Sequence, residues 1–230
     1  MGTMNKKEGR NTPKTVQRSY SGLEFRAEEE NGQKIIEGHP AVYNRTTQIG
    51  DWFKEVIVPG AFDNADLTDV ALFVNHNTRS IPLARSRRNN GNSTMTLTVD
   101  DIGLHMRAVL DVENNEDAKM LYSAVARGDM DGMSFAFRVQ DEEWIDLDSD
   151  MPTRKIKSIS KVFEVSVVTY PAYKDTDVYA RAGGSPPESG EEALENARAK
   201  ASLEKGARQS VDTENEIELY RMKNRILGGV

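Results

Sequence analysis

Cysteine is absent from the 230-residue chain. Its absence removes disulfides, thiolate metal sites and a cysteine nucleophile together, and makes an ordinary reducing compartment the simplest setting. Histidine is scarce: His39, His76 and His105 are the only three, so few side chains are suited to proton transfer near neutral pH. No apolar run approaches the roughly 20 residues of a membrane helix, and the polar N-terminus lacks a signal-peptide core. The expectation is an intracellular protein with no membrane partner. Excess positive charge is missing as well, with 30 Lys and Arg against 37 Asp and Glu for a net charge of -7. Phosphate backbones need concentrated cations, so nucleic acid is not the expected partner. An HExxH motif is absent, and DLDSDM at 146–151 fails as a calcium loop because Met151 and Lys157 stand where glycine and a bidentate glutamate belong. Neither a metal nor a cofactor is expected.

What is present suits one globular domain with polar ends, at 37% hydrophobic and 29% charged residues. Composition divides the chain in three. Residues 1–19 carry five Lys or Arg against one Glu and no apolar periodicity, which reads as a disordered arm. Residues 20–181 read as the globular domain, and GGSPPESGE from 183 opens a linker and tail over 182–230. Within the domain SGLEFRAE, KIIEGHPAVYN, WFKEVIV, VALFVN, STMTLTVD, GLHMRAVL, MSFAFRV, RKIKSIS and KVFEVSVVTY are short segments rich in β-branched and aromatic residues. They predict a mainly β fold, a barrel or packed sheets. One helix interrupts them: Asn114 is placed to cap it, Ala118, Leu121, Tyr122 and Val125 share a face, and Gly128 stops it. The tail, EEALENARAKASLEK followed by ENEIELYRMKNRIL, has a thin apolar face and predicts solvated helices or disorder.

The predicted helix leads into GDMDGMSFAF, so Ser134 stands past a tight turn at the mouth of a strand. A serine there is ordinary strand chemistry unless a base and an orienting group meet it. His105 shares a strand face with Arg107 and reads as a solvated surface residue, while His39 precedes Pro40 and marks a strand edge or irregularity. His76 ends the apolar run VALFVN and opens the loop NTRSIP, a rigid yet accessible placement that suits a general base. In KVFEVSVVTY, alternation puts Val162, Glu164, Ser166 and Val168 on one face and Phe163, Val165 and Val167 on the other. Both faces are largely apolar, so Glu164 needs a partner, either a structural cation or an imidazole. The second option gives a relay of Ser134, His76 and Glu164. A dyad of Ser134 with Lys155, Lys157 or Lys161 is the alternative, although none lies in a clearly apolar stretch. GMSFA is similar to part of the α/β-hydrolase elbow, but that fold places its histidine after the serine, and here all three precede it.

NHNTRSIPLARS around His76, ARGDMDGMSFAFRV around Ser134 and FEVSVVTYPAYKDTDV around Glu164 resemble, in order and spacing, the three signature blocks of tailed-bacteriophage prohead maturation proteases. The resemblance covers roughly residues 20–181, with one departure: the family often has glycine where Ala84 stands. It implies a β-barrel of about seven strands with a few flanking helices, related in fold to herpesvirus assembly proteases. It also implies a serine endopeptidase with His76, Ser134 and Glu164 as catalytic residues. Such an enzyme works inside the prohead in the host cytoplasm, cutting scaffold protein or the scaffolding segment of the major capsid protein, and itself. A homo-oligomer is compatible with this role, and the tail becomes a docking or autoprocessed segment. The competing reading is a non-catalytic capsid assembly factor on the same fold.

Overall fold

The computed structural model describes residues 15–21, 25–87, 90–170 and 189–227. Among these residues are eleven strands and two α-helices, so the class is mainly β as the patterning predicts. The first five strands are β1 (Thr15–Ser21), β2 (Arg26–Glu30), β3 (Gln33–Val42), β4 (Thr47–Ile49) and β5 (Phe53–Ile57). They are followed by β6 (Ala71–Val74), β7 (Ala84–Arg85), β8 (Met95–Val99), β9 (Gly103–Leu110), α1 (Glu116–Ala126), β10 (Gly132–Ile145), β11 (Thr153–Val168) and α2 (Gly190–Leu227). Strand β1 begins at Thr15, within the stretch expected to be a disordered arm, and Val16 is buried in the core. Most of the expected arm and the whole linker region 182–188 lie outside the described residues.

The strands form two sheets, β1-β10-β11-β5-β4 with β6 and β7 attached, and β2-β3-β9-β8. The expected barrel does not close, since among the described residues no ladder joins one sheet to the other. The sheets instead pack their apolar faces together. Phe135, Phe137, Val165, Val167 and Leu72 from the first meet Leu97, Leu104, Met106 and Ala108 from the second in one buried cluster. The first sheet is nevertheless strongly curled. Arg18 of β1 donates from Nε and Nη2 to Glu55 of β5 at 2.5 and 2.9 Å, although β10 and β11 lie between those strands. Arg154 of β11 adds a 3.3 Å contact to Glu55 Oε2. Both Glu55 oxygens are thus satisfied where an unpaired carboxylate would be costly.

RKIKSIS and KVFEVSVVTY, expected as separate strands, are continuous in β11. Neither glycine nor proline interrupts residues 153–168, so no turn signal breaks the run. One edge of β11 pairs antiparallel with β10. The other pairs in parallel first with β5, then by a single bridge with Asp66, then with β6. A register shift opposite Ala136 and Phe137 puts Val162 on the core face with Val165 and Val167, rather than on the face of Glu164 as strict alternation predicts, and Glu164 and Ser166 occupy the other face.

Helix α1 closes the end of the core near the start of β10 with Ala118, Leu121 and Val125. Its cap is Asn115 rather than the expected Asn114: the Asn115 Oδ1 accepts from Asp117 N and Ala118 N at 3.0 and 3.2 Å, while Asn114 binds Asp111. The tail forms one helix rather than two pieces. Ser189 and Glu192 cap its start reciprocally, and Ala193 and Leu194 pack into a small second cluster with Phe53, Ile49, Trp144 and Leu147. A Cβ on Gly190 would stand 2.7 Å from Trp52 Cδ1, so the helix backbone touches the domain there. Among the described residues no helix is long and apolar enough to cross a membrane.

Candidate active site

At the end of β6 the chain turns sharply through two consecutive residues with positive φ, Asn75 at 50° and His76 at 55°. Left-handed backbone is costly for a side chain of the size of histidine, and surrounding contacts must hold it there. They do. Asn75 N–H donates to Val167 O at 2.9 Å, Asn75 Oδ1 accepts from Thr169 N–H at 2.9 Å, and Asn75 Nδ2 donates to Thr169 Oγ1 at 3.1 Å. Thr78 N–H closes the turn on His76 O at 2.9 Å. Pairing of β6 with β11 therefore extends past the strand and clamps the residue before the histidine.

The clamp delivers the imidazole to the polar residues of β11. His76 Nδ1 lies 2.5 Å from Glu164 Oε1, and both side chains are nearly excluded from water, at 10% and 5% exposure. Of the two partners open to Glu164 in the sequence, cation or imidazole, the structure supplies the imidazole. Ser166, two residues on and on the same strand face, donates from Oγ to Glu164 Oε2 at 2.6 Å. Its Oγ also accepts the His76 N–H at 3.2 Å. With Nδ1 turned to the carboxylate, the remaining ring nitrogen Nε2 has no hydrogen-bond partner among the described residues.

Ser134 stands on the neighbouring strand, its Cα paired with that of Ser166, while Ala136 pairs with Glu164. Ser134 therefore shares the strand face of Ser166 and Glu164. Its side chain is fully buried, and its hydroxyl donates to Arg18 O of β1 at 2.9 Å rather than to His76. The structure thus unites His76 with Glu164 directly and holds Ser134 on the adjacent strand with its proton on a main-chain carbonyl.

Two of the candidate lysines and the other two histidines are engaged elsewhere. Lys161 Nζ donates to Asp66 Oδ2 at 2.7 Å, and Lys157 Nζ lies 3.8 Å from Asp141 Oδ2. The Lys161 ammonium and the Thr68 hydroxyl and amide hold Asp66 far below the usual carboxylate range. His39 and His105 lie on the second sheet with ring centroids 4.9 Å apart. His39 is buried at a register shift between Gly38 and Ala41, as its proline neighbour predicts, and pairs through Nε2 with Asp100 Oδ2 at 2.9 Å. His105 is half-buried rather than a solvated surface residue, because Met106 and Leu104 draw β9 into the core. At the end of β7, Arg85 N–H is given to Thr94 Oγ1 and Ser86 N–H to Val70 O. The Arg85 guanidinium forms two bonds to Asp69, at 2.6 and 2.7 Å, and these lower the Asp69 pKa.

Ser166 is the functional-looking residue that sequence reasoning passed over. Alternation placed it on the face of Glu164, and a second buried polar side chain on an otherwise apolar strand was the available signal. A cleft of about 430 Å³ opens beside the His76 turn, lined by Val74, Asn75, Asn77, Leu83, Met120 and Met130 among others.

Comparison with protein families matches residues 21–185 to the model of the caudovirus prohead serine protease. The chain belongs to that family. The match spans the β1 end, both sheets and α1, and includes His76, Ser134 and Glu164. No curated protein sequence matches the chain. Among solved structures, the chain is similar to the bacteriophage T4 capsid assembly protease, gp21, with a TM-score of 0.43 and 12% identity, covering 70% of this chain and 100% of that one.

Proposed function

We propose that the chain is an active endopeptidase of capsid maturation, with Ser134 as nucleophile, His76 as general base and Glu164 as the group that orients and charges the imidazole. The observation that carries this reading is the buried 2.5 Å contact between His76 Nδ1 and Glu164 Oε1 at the end of a strand beside that of Ser134. Glu164 accepts a hydrogen bond from Nδ1–H, which leaves the lone pair on Nε2 for the serine. Rotation about the Ser134 side-chain bond breaks the Arg18 contact and turns Oγ towards Nε2. Oγ then attacks the scissile carbonyl carbon as its proton passes to Nε2. The imidazolium, stabilised by Glu164, returns that proton to the leaving amine, and water repeats the sequence to release the acyl group. Family membership supports scaffold protein or the scaffolding segment of the major capsid protein as substrate, with self-trimming, inside the prohead in the host cytoplasm. The cleft beside the His76 turn, walled by methionines that adapt to irregular shapes, suits an apolar side chain of such a substrate.

One observation favours the second reading, a non-catalytic assembly factor: the Ser134 hydroxyl is bonded to Arg18 O and not to the imidazole. Coexpression with the capsid and scaffold proteins separates the two. The wild-type chain yields truncated products in intact-mass spectra and Ser134→Ala yields none while keeping its circular dichroism and melting transition. Identical mass patterns for the two chains would refute the protease reading.

A further inference from the structure

Beyond the three residues of the relay, a fourth side chain touches both the acid and the base. Ser166 is fully buried on β11, and its hydroxyl makes two contacts. It donates its single proton to Glu164 Oε2 at 2.6 Å and accepts the main-chain N–H of His76 at 3.2 Å. A hydroxyl has one proton to give and lone pairs to receive, so the direction of both bonds is fixed: an amide can only donate and a carboxylate can only accept. Each Glu164 oxygen then has its own partner, Oε1 facing the imidazole and Oε2 facing Ser166.

We infer that Ser166 is a positioning residue of the proteolytic centre, holding the Glu164 carboxylate and the left-handed His76 backbone in the one arrangement that aims Nε2 away from the carboxylate. The inference rests on the protease reading for its consequence in catalysis, but not for its geometry. Without the hydroxyl, Glu164 Oε2 loses a donor in a site closed to water. The carboxylate is then free to turn about its terminal bond, and its grip on Nδ1–H is no longer fixed in direction. The His76 amide loses its acceptor at the same time, at a residue whose backbone conformation needs support. Ser166 makes its hydrogen bonds to Glu164 Oε2 and the His76 amide, and Ser134 Oγ makes its own to Arg18 O, so the influence of Ser166 on chemistry runs through its two neighbours.

The test uses the full chain and two measurements. The first is labelling by a fluorophosphonate, which needs no natural substrate: Ser134 Oγ bonds to phosphorus, fluoride leaves, and the serine proton passes to His76. Ser166→Ala lowers the maximal labelling rate about 10- to 100-fold, the worth of a hydrogen bond to a charged group, with the half-saturating probe concentration unchanged. Ser166→Thr, which keeps the hydroxyl, restores at least half of the rate, and Ser166→Cys, a weak donor of similar size, does not. The second measurement is the ring N–H signals of 15N-histidine-labelled protein in the Ser134→Ala background. The downfield His76 Hδ1 signal shifts or vanishes in Ser166→Ala and persists with threonine, while the signals of His39 and His105 stay in place. If Ser166→Ala does not fold, the threonine and cysteine variants decide alone. A labelling rate within twofold of wild type together with an unmoved Hδ1 signal overturns the inference. A wild-type chain that resists the probe but shows the Hδ1 response overturns the protease reading instead and leaves Ser166 in its place.

Discussion

The three histidines differ in what faces each ring, and that difference assigns them different consequences. His76 meets Glu164, His39 meets Asp100, and His105 packs in the half-buried surface of β9 against the His39 ring. Burial and the neighbouring His39 push the His105 pKa below its ordinary value of 6.5, against the opposing pull of Glu37 and Asp100. A depressed histidine binds its proton less readily in the folded protein than in the unfolded chain. Its stabilising contribution is therefore complete above about pH 6.5 and lost as the pH falls from there through the lower folded value. Asp100 adds to the loss further down: although burial raises its pKa, the His39 ring and the amides of Gly103 and Ile102 hold it below the usual range. Melting temperature is expected to fall between pH 7 and pH 5, and His105→Gln should flatten that part of the curve. An equal slope in the variant would show that other groups carry the acid sensitivity.

Among elements, β11 does most to build the site, because its partner changes along its length. Its first part lies beside β5 and the Arg18, Glu55 and Arg154 network, and its last part lies beside β6 and the His76 turn. Helix α1 acts at one remove, closing the core and contributing Met120 and Leu121 to the cleft wall. Its start depends on a single side chain, Asn115, which accepts from two amides that otherwise have no partner within the helix. Asn115→Ala should destabilise the domain by about 1 kcal/mol, read as a melting point lower by about 2–4 °C for a domain of this size. Fluorophosphonate labelling of Ser134 at 25 °C should not change. A loss of labelling larger than the loss of folded protein would mean that the helix start also shapes the site.

On the scale of the molecule, the tail and the candidate site occupy opposite ends of the β10 and β11 pair. Helix α2 docks near Phe53 and Trp144, by the start of β11, whereas Glu164 and Ser166 lie near its finish, roughly 35 Å farther along the strand. The dock is small: Ala193 and Leu194 are buried, and Arg198 donates to Leu147 O and Ser149 O at 3.2 and 3.0 Å. Beyond it the described side chains of the helix are mostly exposed, with Leu203 76% accessible and Met222 59%. Burying one leucine stabilises a contact by about 1.5–3 kcal/mol, so this junction is separable from the main core. Leu194→Asp is expected to raise hydrogen exchange over residues 190–205 to near the unprotected rate while the melting transition of the two-sheet body moves little. Loss of the main transition would make α2 an integral part of the domain.

The sequence by itself determined the class and the family. Short β-branched and aromatic segments can bury one face only as sheets, and three blocks carried the resemblance that the family match bears out. Local chemistry also announced α1 and the irregularity at His39. It could not announce that β11 runs unbroken, that Asn115 outcompetes Asn114 as cap, or that the first strand begins at Thr15, because those outcomes depend on which partner a backbone group finds. Nor could alternation name the partner of Glu164, since a cation and an imidazole satisfy a buried carboxylate equally well. Only the folded chain decided it: parallel pairing of β6 with β11, extended by the Asn75 and Thr169 clamp, brings the His76 ring to Glu164. The same pairing sets Ser166 against both of them, because strand register converts positions 88 and 90 residues apart in the chain into hydrogen-bond neighbours.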